Sequence, residues 1–281
     1  MKNIKFSVLL SVYFRENPDY LKKSLNSIID QTVKPDEIVL VKDGELTKEL
    51  DEVIDEFISK YTALFKVITF NENRGLGIAL YEGVKACSYD IIARMDTDDI
   101  AKKDRFEKQI NIFKERLDID LVGSWIDEFE LETNNVISQR RVPKTNKEII
   151  KFAKQRCPFN HPTVMYRKES VLNSGNYQEF LWNEDYYLWV RMLVNGCEMY
   201  NIQESLLYFR TGKDMFKRRG GLRYALQDIM LQKEFLKLGF VNIFEFLYNI
   251  LIRTSIRLIP NNLRGLFYKK FLREGGEKVE Y

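Results

Sequence analysis

The sequence has little of what several kinds of site require. It holds one histidine, His161, and three cysteines, Cys87, Cys157 and Cys197. A single imidazole cannot build a His-rich metal site. The cysteines are odd in number, far apart and form no CxxC pair, which argues against a disulfide framework and for a reducing compartment. No run of about 18 apolar residues occurs, so a spanning helix is not expected. The N-terminus, Met1-Lys2-Asn3-Ile4-Lys5, leads straight into a strand-like segment without a signal-peptide pattern. Gly75, Gly77 and Gly83 do not make the GxGxxG dinucleotide fingerprint, and no Gly-Lys-Ser/Thr follows to make a P-loop. The net charge is only +3, and no nucleic-acid recognition motif is present. A cytoplasmic protein without nucleic-acid partners is therefore expected, with a peripheral seat on the inner face of the plasma membrane as an option.

What is present is ordinary globular composition, 45% apolar and 30% charged across 281 residues. Strand and helix patterns alternate four times in the first 116 residues. Strands are expected at 5–12, 37–41, 65–70 and 90–95, and helices at 18–31, 47–61, 78–87 and 103–116. Leu50, Val53, Ile54, Phe57, Ile58 and Tyr61 mark the clearest helical stripe. This is the signature of an α/β fold, a mostly parallel sheet flanked by helices. Ligands bind beyond the carboxyl ends of such strands, which here carry Tyr13, Asp43, Asn71 to Arg74 and Asp96 to Asp99. After 117 the alternation weakens. A strand hairpin is expected at 120–143, a strand at 160–167, a helix from about Asn183, and helices from 221 onward.

Asp96-Thr97-Asp98-Asp99 ends an apolar strand. Three carboxylates in four residues repel one another unless a cation joins them, and hard oxygen donors suit Mg²⁺ or Mn²⁺. The plain alternative is an acidic helix N-terminus. Ser11-Val12-Tyr13 with Glu16 offers an aromatic ring for a base and backbone groups for a ribose, or else a simple strand-to-helix turn. Asp43 precedes Gly44, a pairing common in turns, and its carboxylate suits the N3–H of a uracil. Arg74, between Asn73 and Gly75, is placed to approach a phosphate or base.

In this order the motifs resemble the nucleotide-binding half of glycosyltransferase family 2. Ser11-Val12-Tyr13, Gln31-Thr32, Asp43-Gly44, Asn73-Arg74-Gly75 and Asp96-Thr97-Asp98-Asp99 fall in the family's sequence over 7–116. The resemblance continues more weakly to about 215, and the bacterial capsule and exopolysaccharide branch matches best. It implies a GT-A fold and an inverting, metal-dependent transfer from a nucleotide-sugar, expected to be a UDP-sugar. The acceptor it implies is a carbohydrate or lipid-linked oligosaccharide. Residues 1–116 would bind the nucleotide-sugar, 117–220 the acceptor, and 221–281 would form a helical tail. Asp98 would hold the cation with Asp96 close by, and Asp43 and Arg74 would position the nucleotide. In Trp182-Asn183-Glu184-Asp185, Asp185 would be the base and Glu184 its neighbour. Read alone, the same residues are a plain helix start. His161 in Asn160-His161-Pro162 would contact diphosphate or acceptor, and Arg218 would close over the leaving group. Lys42 and Phe14-Arg15 depart from the family pattern. A sugar nucleotidyltransferase and a non-enzymatic membrane-associated binding protein are the alternative readings.

In the tail, Phe240, Phe244, Leu247, Leu251 and Leu258 share one helical face. Asn242, Glu245, Asn249, Arg253 and Arg257 share the other. Arg264, Lys269, Lys270 and Arg273 follow without an acidic residue between. Two outcomes are open: a helix on an anionic leaflet, or a helix with its apolar face buried on the core.

Overall fold

The computed structural model describes residues 4–211, 221–258 and 274–275. Strands β1 (Phe6–Val12), β2 (Glu37–Lys42), β3 (Phe65–Thr69) and β4 (Ile91–Arg94) lie in the order β3-β2-β1-β4, all parallel. Between them run α1 (Pro18–Ile29), α2 (Lys48–Lys60) and α3 (Leu76–Ala86). Asn17 caps α1 by accepting the Asp19 and Tyr20 N–H groups, and Pro18 takes the first helical position, where its missing N–H costs nothing. Beyond β4 come the two-residue β5 (Ile100–Ala101) and α4 (Arg105–Glu115). The sheet then continues with β6 (Ile119–Phe129), β7 (Val136–Arg140), β8 (Met165–Arg167) and β9 (Glu198–Arg210). β8 joins β4 and β6 antiparallel, while β9 runs parallel to β6. The sheet is thus mixed, parallel over β1–β4 and crossed by antiparallel strands on the other wing.

The period-two alternation of β1 assigns its side chains to two cores. Val8, Leu10 and Val12 pack with α1, α2 and α4 on one face. Leu9 packs on the other face with α3, α5 (Asn146–Ala153), α6 (Lys168–Asn173), α7 (Glu184–Val194) and α8 (Leu222–Lys237). Each fully buried aliphatic here contributes about 1.5–3 kcal/mol. Both cores draw residues from before and after 116, so the two halves are one hydrophobic body.

Three expectations need correction. Only 165–167 of the predicted strand at 160–167 is a strand. His161–Thr163 is a 3₁₀ turn, because Pro162 has no N–H for a ladder. β9, thirteen residues long, had no counterpart in the sequence reading. Its burial does not alternate cleanly, and its register against β6 shifts three times.

The third correction concerns α9 (Ile243–Leu258). Its polar stripe faces the protein. Asn249 is 3% exposed and donates to Gln232 Oε1 and the Lys154 carbonyl. Arg253 and Arg257 pair with Asp228 of α8, itself 2% exposed. Phe244, Leu247 and Leu251 are instead 80%, 56% and 68% exposed. The core-buried alternative for this face is therefore overturned. A buried Asp228 carboxylate needs cations beside it, and that requirement outweighs the exposure of the apolar side. Phe240 behaves as expected and packs on Phe235. The side chain of Leu258, and Arg218, Arg264, Lys269, Lys270 and Arg273, lie outside the described residues.

Candidate active site

The carboxyl ends of β1, β2 and β4 bring Tyr13, Asp43 and Asp96 to one edge of the sheet. The acidic loop after β4 is fastened from three elements. Ser24 of α1 donates to the Asp96 carbonyl at 2.9 Å, and Thr97 Oγ1 donates to Glu16 Oε2 at 2.6 Å. At the end of β9, Arg210 donates its N–H to Asp99 Oδ1 at 2.8 Å and its Nε to the Asp98 carbonyl at 2.9 Å. One carboxylate oxygen from each of Asp96, Asp98 and Asp99 falls within 4.8 Å of the others. Burial, with Asp96 and Glu16 nearby, pushes the Asp98 carboxyl up to about 7. Burial, with Asp98 and Asp96 beside it, raises Asp99 well above the usual range. Asp99 Oδ2 is buried and has no hydrogen-bond partner among the described residues. A hard divalent cation fits this donor set: it would replace the protons and meet the orphan oxygen. The sequence reading named Asp98 and Asp96; Asp99 joins them through its carboxylate.

The residues that follow β2 and β3 are arranged as a clamp. The Asp43 carboxylate accepts the Arg74 N–H at 2.7 Å, the Gly75 N–H at 3.0 Å and Asn73 Nδ2 at 3.0 Å. Gly44 makes this possible, since a Cβ there would stand 2.6 Å from the Asn73 nitrogen. Asp43 thus organises the Asn73–Gly75 loop, whatever else it touches. Val12 turns its side chain into the core and its carbonyl accepts the Asp43 N–H, so it frames the site. Ser11 is half-buried beside it. Tyr13 is exposed and packs edge-on against Phe14. The Arg74 side chain is also exposed and lies over the Phe70 ring. Lys42 is engaged in an ion pair with Asp51 of α2.

A cavity of about 680 Å³ extends from Asp96 to Glu184 and Asp185 at the start of α7. Asn183 occupies the capping position of α7, as the sequence predicts. Gly77 lets α3 come near, with Glu184 Cβ 3.6 Å from where a Gly77 Cβ would lie. Burial, then Asp185, pushes the Glu184 carboxyl up to about 7. Burial also raises Asp185 above the usual carboxylate range, against the pull of Arg140 and Arg94. Its Oδ2 receives the Cys157 thiol at 3.7 Å, a weak contact. The wall beside it is aromatic. Trp182 sits at φ 64, a strained value for a bulky residue, and stacks on Tyr224 with ring centroids 3.7 Å apart.

His161 also lines the cavity. Burial, reinforced by Arg94, holds its imidazole well below its usual pKa, and its Nε2 hydrogen-bonds Tyr177 Oη at 3.0 Å. It is neutral at physiological pH and cannot serve as a cation for a diphosphate. Arg94, Arg140 and Cys157 were not foreseen in the sequence. For Arg94 the signal was there: a charge inside Ile91–Arg94, a strand buried along its length.

Comparison with known proteins agrees with this geometry. Residues 7–175 match Glycosyl transferase family 2. A glycosyltransferase of Haemophilus influenzae is 42% identical over 271 residues, covering 96% of this chain and all of that protein. The UDP-Gal:alpha-D-GlcNAc-diphosphoundecaprenol beta-1,3-galactosyltransferase of Escherichia coli is 39% identical, covering 96% of this chain and 97% of its own. The amylovoran biosynthesis glycosyltransferase AmsE of Erwinia amylovora is 36% identical over 94% and 98% of the two chains. Among solved structures, S. aureus TarS 1–349 with UDP-GlcNAc superposes with a TM-score of 0.66 at 16% identity, over 90% of this chain and 72% of that one. The mannosyltransferase PcManGT of Pyrobaculum calidifontis, with GDP-Man and Mn²⁺, gives 0.65 at 13% identity, over 92% and 71%. These two show the shared GT-A architecture.

Proposed function

The chain belongs to glycosyl transferase family 2, and on that premise we propose that it moves one hexose from a UDP-sugar to a hydroxyl of a lipid-linked saccharide, with inversion, in surface-polysaccharide synthesis. The observation that carries this reading is the single cavity joining Asp96, beside the cation cluster, to Asp185 on the opposite wall. Residues 1–116 hold the nucleotide-sugar and 117–220 the acceptor. UDP is favoured by the names of the E. coli relative and of the TarS complex. The GDP-Man neighbour shows that the fold alone does not fix the base.

Asp98, with Asp96 and Asp99, would hold a cation, Mn²⁺ or Mg²⁺, which would offset charge on the diphosphate. The chain's own residues do the rest. Asp185 accepts the proton of the acceptor hydroxyl, whose oxygen forms a bond to the anomeric carbon. The bond from that carbon to the diphosphate oxygen breaks on the opposite face, and UDP leaves. A positioned base of this kind supplies roughly 10²–10⁴-fold in rate. Glu184 stands beside the acceptor, and the aromatic wall of Trp182 and Tyr224 excludes water from the reacting face.

The exposed stripe of α9 supports contact with a membrane surface. Among the described residues no helix is long and apolar enough to cross a membrane. Tyr248 and Ile252 belong both to the exposed apolar side of α9 and to the cavity lining, so this side opens onto the acceptor end. Arg264, Lys269, Lys270 and Arg273 follow in the sequence and complement an anionic leaflet. Replacing Phe244, Leu247 and Leu251 by Glu should release the protein from anionic phospholipid vesicles in a sedimentation assay. Unchanged sedimentation would remove this part of the reading.

The reaction itself is tested by incubating the protein and Mn²⁺ with UDP-sugars and a synthetic GlcNAc-diphospholipid. Release of UDP with an inverted anomeric linkage in the product is expected. Pyrophosphate release from UTP and a sugar phosphate would identify a nucleotidyltransferase instead. Absence of any nucleotide binding by the folded protein would favour a binding protein.

A further inference from the structure

Two arginines are fully enclosed at the end of β4, and the protein treats them differently. Arg105 is satisfied by its surroundings. Its Nη2 donates to the Arg94 carbonyl at 2.7 Å, its Nε to Gln109 Oε1 at 3.1 Å, and its Nη1 contacts Met95 Sδ at 3.1 Å. Arg94 is 2% exposed, and its Nη2 pairs with Asp96 Oδ1, but its Nε and Nη1 have no hydrogen-bond partner among the described residues. Leaving a buried donor unmet costs about 1–3 kcal/mol, and more on a charged group. A short apolar strand would fold better with valine or isoleucine at this position. The cost is understandable if a ligand meets these two donors.

The surroundings define that ligand. Arg94 lines the cavity together with Asp96, His161, Glu184 and Asp185. Asp96, Glu184 and Asp185 outnumber Arg94 and Arg140 here and disfavour an anionic ligand, and a diphosphate belongs with the cation at Asp98. His161 is neutral and engaged with Tyr177. What remains is a neutral polyol, whose hydroxyl oxygens accept from Arg94 while their protons go to Asp96 or Glu184. Arg94 and Asp96 stand two residues apart and paired, so they present donors and an acceptor side by side, a match for adjacent hydroxyls of one ring.

We propose that Arg94 binds the transferred sugar, its Nε and Nη1 donating to ring hydroxyl oxygens, and thereby takes part in selecting the donor sugar. This rests on the glycosyltransferase reading above. The ligand is the donor rather than the acceptor sugar, because Arg94 sits on the strand that carries the cation motif and is paired with Asp96.

The test is titration calorimetry with Mn²⁺ and no acceptor, on the wild type, Arg94→Lys and Arg94→Met. The probes are UDP, then UDP-galactose, UDP-glucose and their N-acetylamino counterparts, then deoxy analogues of the tightest wild-type binder. The variants should lose about 10- to 100-fold more affinity for that UDP-sugar than for UDP. The analogue lacking the contacted hydroxyl should bind the wild type more weakly, but Arg94→Met no more weakly than its parent sugar does. Equal losses for UDP and UDP-sugar, or deoxygenation penalties that persist in full in Arg94→Met, would overturn the proposal. A wild type that binds neither UDP nor any UDP-sugar would sink the donor reading on which it rests. Thermal melts accompany each variant. If Arg94→Met does not fold, Arg94→Lys carries the comparison, since it keeps the charge facing Asp96 and removes the planar fork.

Discussion

The two ends of the cavity are built on opposite principles. At the Asp96 end the carboxylates sit in a loop after a strand, tied by Ser24, Glu16 and Arg210 from three different elements. At the Asp185 end two carboxylates stand at a helix start against an aromatic wall, with the Tyr186 N–H and the Cys157 thiol on Asp185. The first end concentrates negative charge and fixes its geometry, which is what a cation and a diphosphate require. Burial raises the carboxylates at both ends; what differs is that the second has a pair at a helix start rather than three gathered in one loop, an arrangement that suits a base. On the proposed reading, the difference separates binding from chemistry within one cavity of about 680 Å³.

That separation can be broken at either end. Asp98→Ala should abolish turnover together with Mn²⁺-dependent UDP binding, read by activity and calorimetry. Asp185→Asn should lower kcat by about 10²–10⁴-fold while leaving UDP binding near wild type. Because Asp185 works ionised and its carboxyl is raised, kcat/KM should climb with pH through a limb above the ordinary carboxylate range. A limb near pH 4 would contradict the desolvated base.

A smaller effect concerns the fastening of α9. Burial raises Asp228, but Arg253 and Arg257 outweigh it and hold the carboxyl low. Asp228→Ala leaves two partly buried cations without it and should cost about 3–5 kcal/mol, lowering Tm by about 10 °C. An unchanged Tm would mean that the inverted helix is held by its apolar contacts instead. The smallest effect is that of Glu184→Gln. A carboxyl that ionises at about 7 in the fold and near 4.5 unfolded penalises the folded state progressively as pH rises between those values. The Gln variant should therefore melt about 5–8 °C above the wild type at pH 8, with the gap closing at pH 4.5. A constant gap would assign the effect to packing.

The parallel wing was legible because each of its elements declares its period. β1, β2 and β4 are short apolar runs, and the helices between them carry clear stripes and caps such as Asn17 and Thr47. The positions of Asp43 and Asp96 followed from that order alone. The Asp185 end was less legible. β9 lacks a clean alternation because its two faces meet different neighbours along its length. α9 reads in sequence as an ordinary amphipathic helix. Only the position of Asp228, fifteen residues before the helix starts, reveals that its polar side faces inward. Asp43 was read as a base contact; the structure adds that its carboxylate holds the Asn73–Gly75 loop, a role that depends on contacts about thirty residues apart. Arg94 was visible as a charge in a buried strand and was passed over beside the louder acidic motif.

The central claim is that the Asp96 end binds and the Asp185 end reacts. Side-by-side calorimetry of UDP with Mn²⁺ on Asp98→Ala and Asp185→Asn tests it most directly. The account predicts no measurable binding to Asp98→Ala and wild-type affinity for an inactive Asp185→Asn. Wild-type affinity in Asp98→Ala, or binding lost equally in both folded variants, would contradict it.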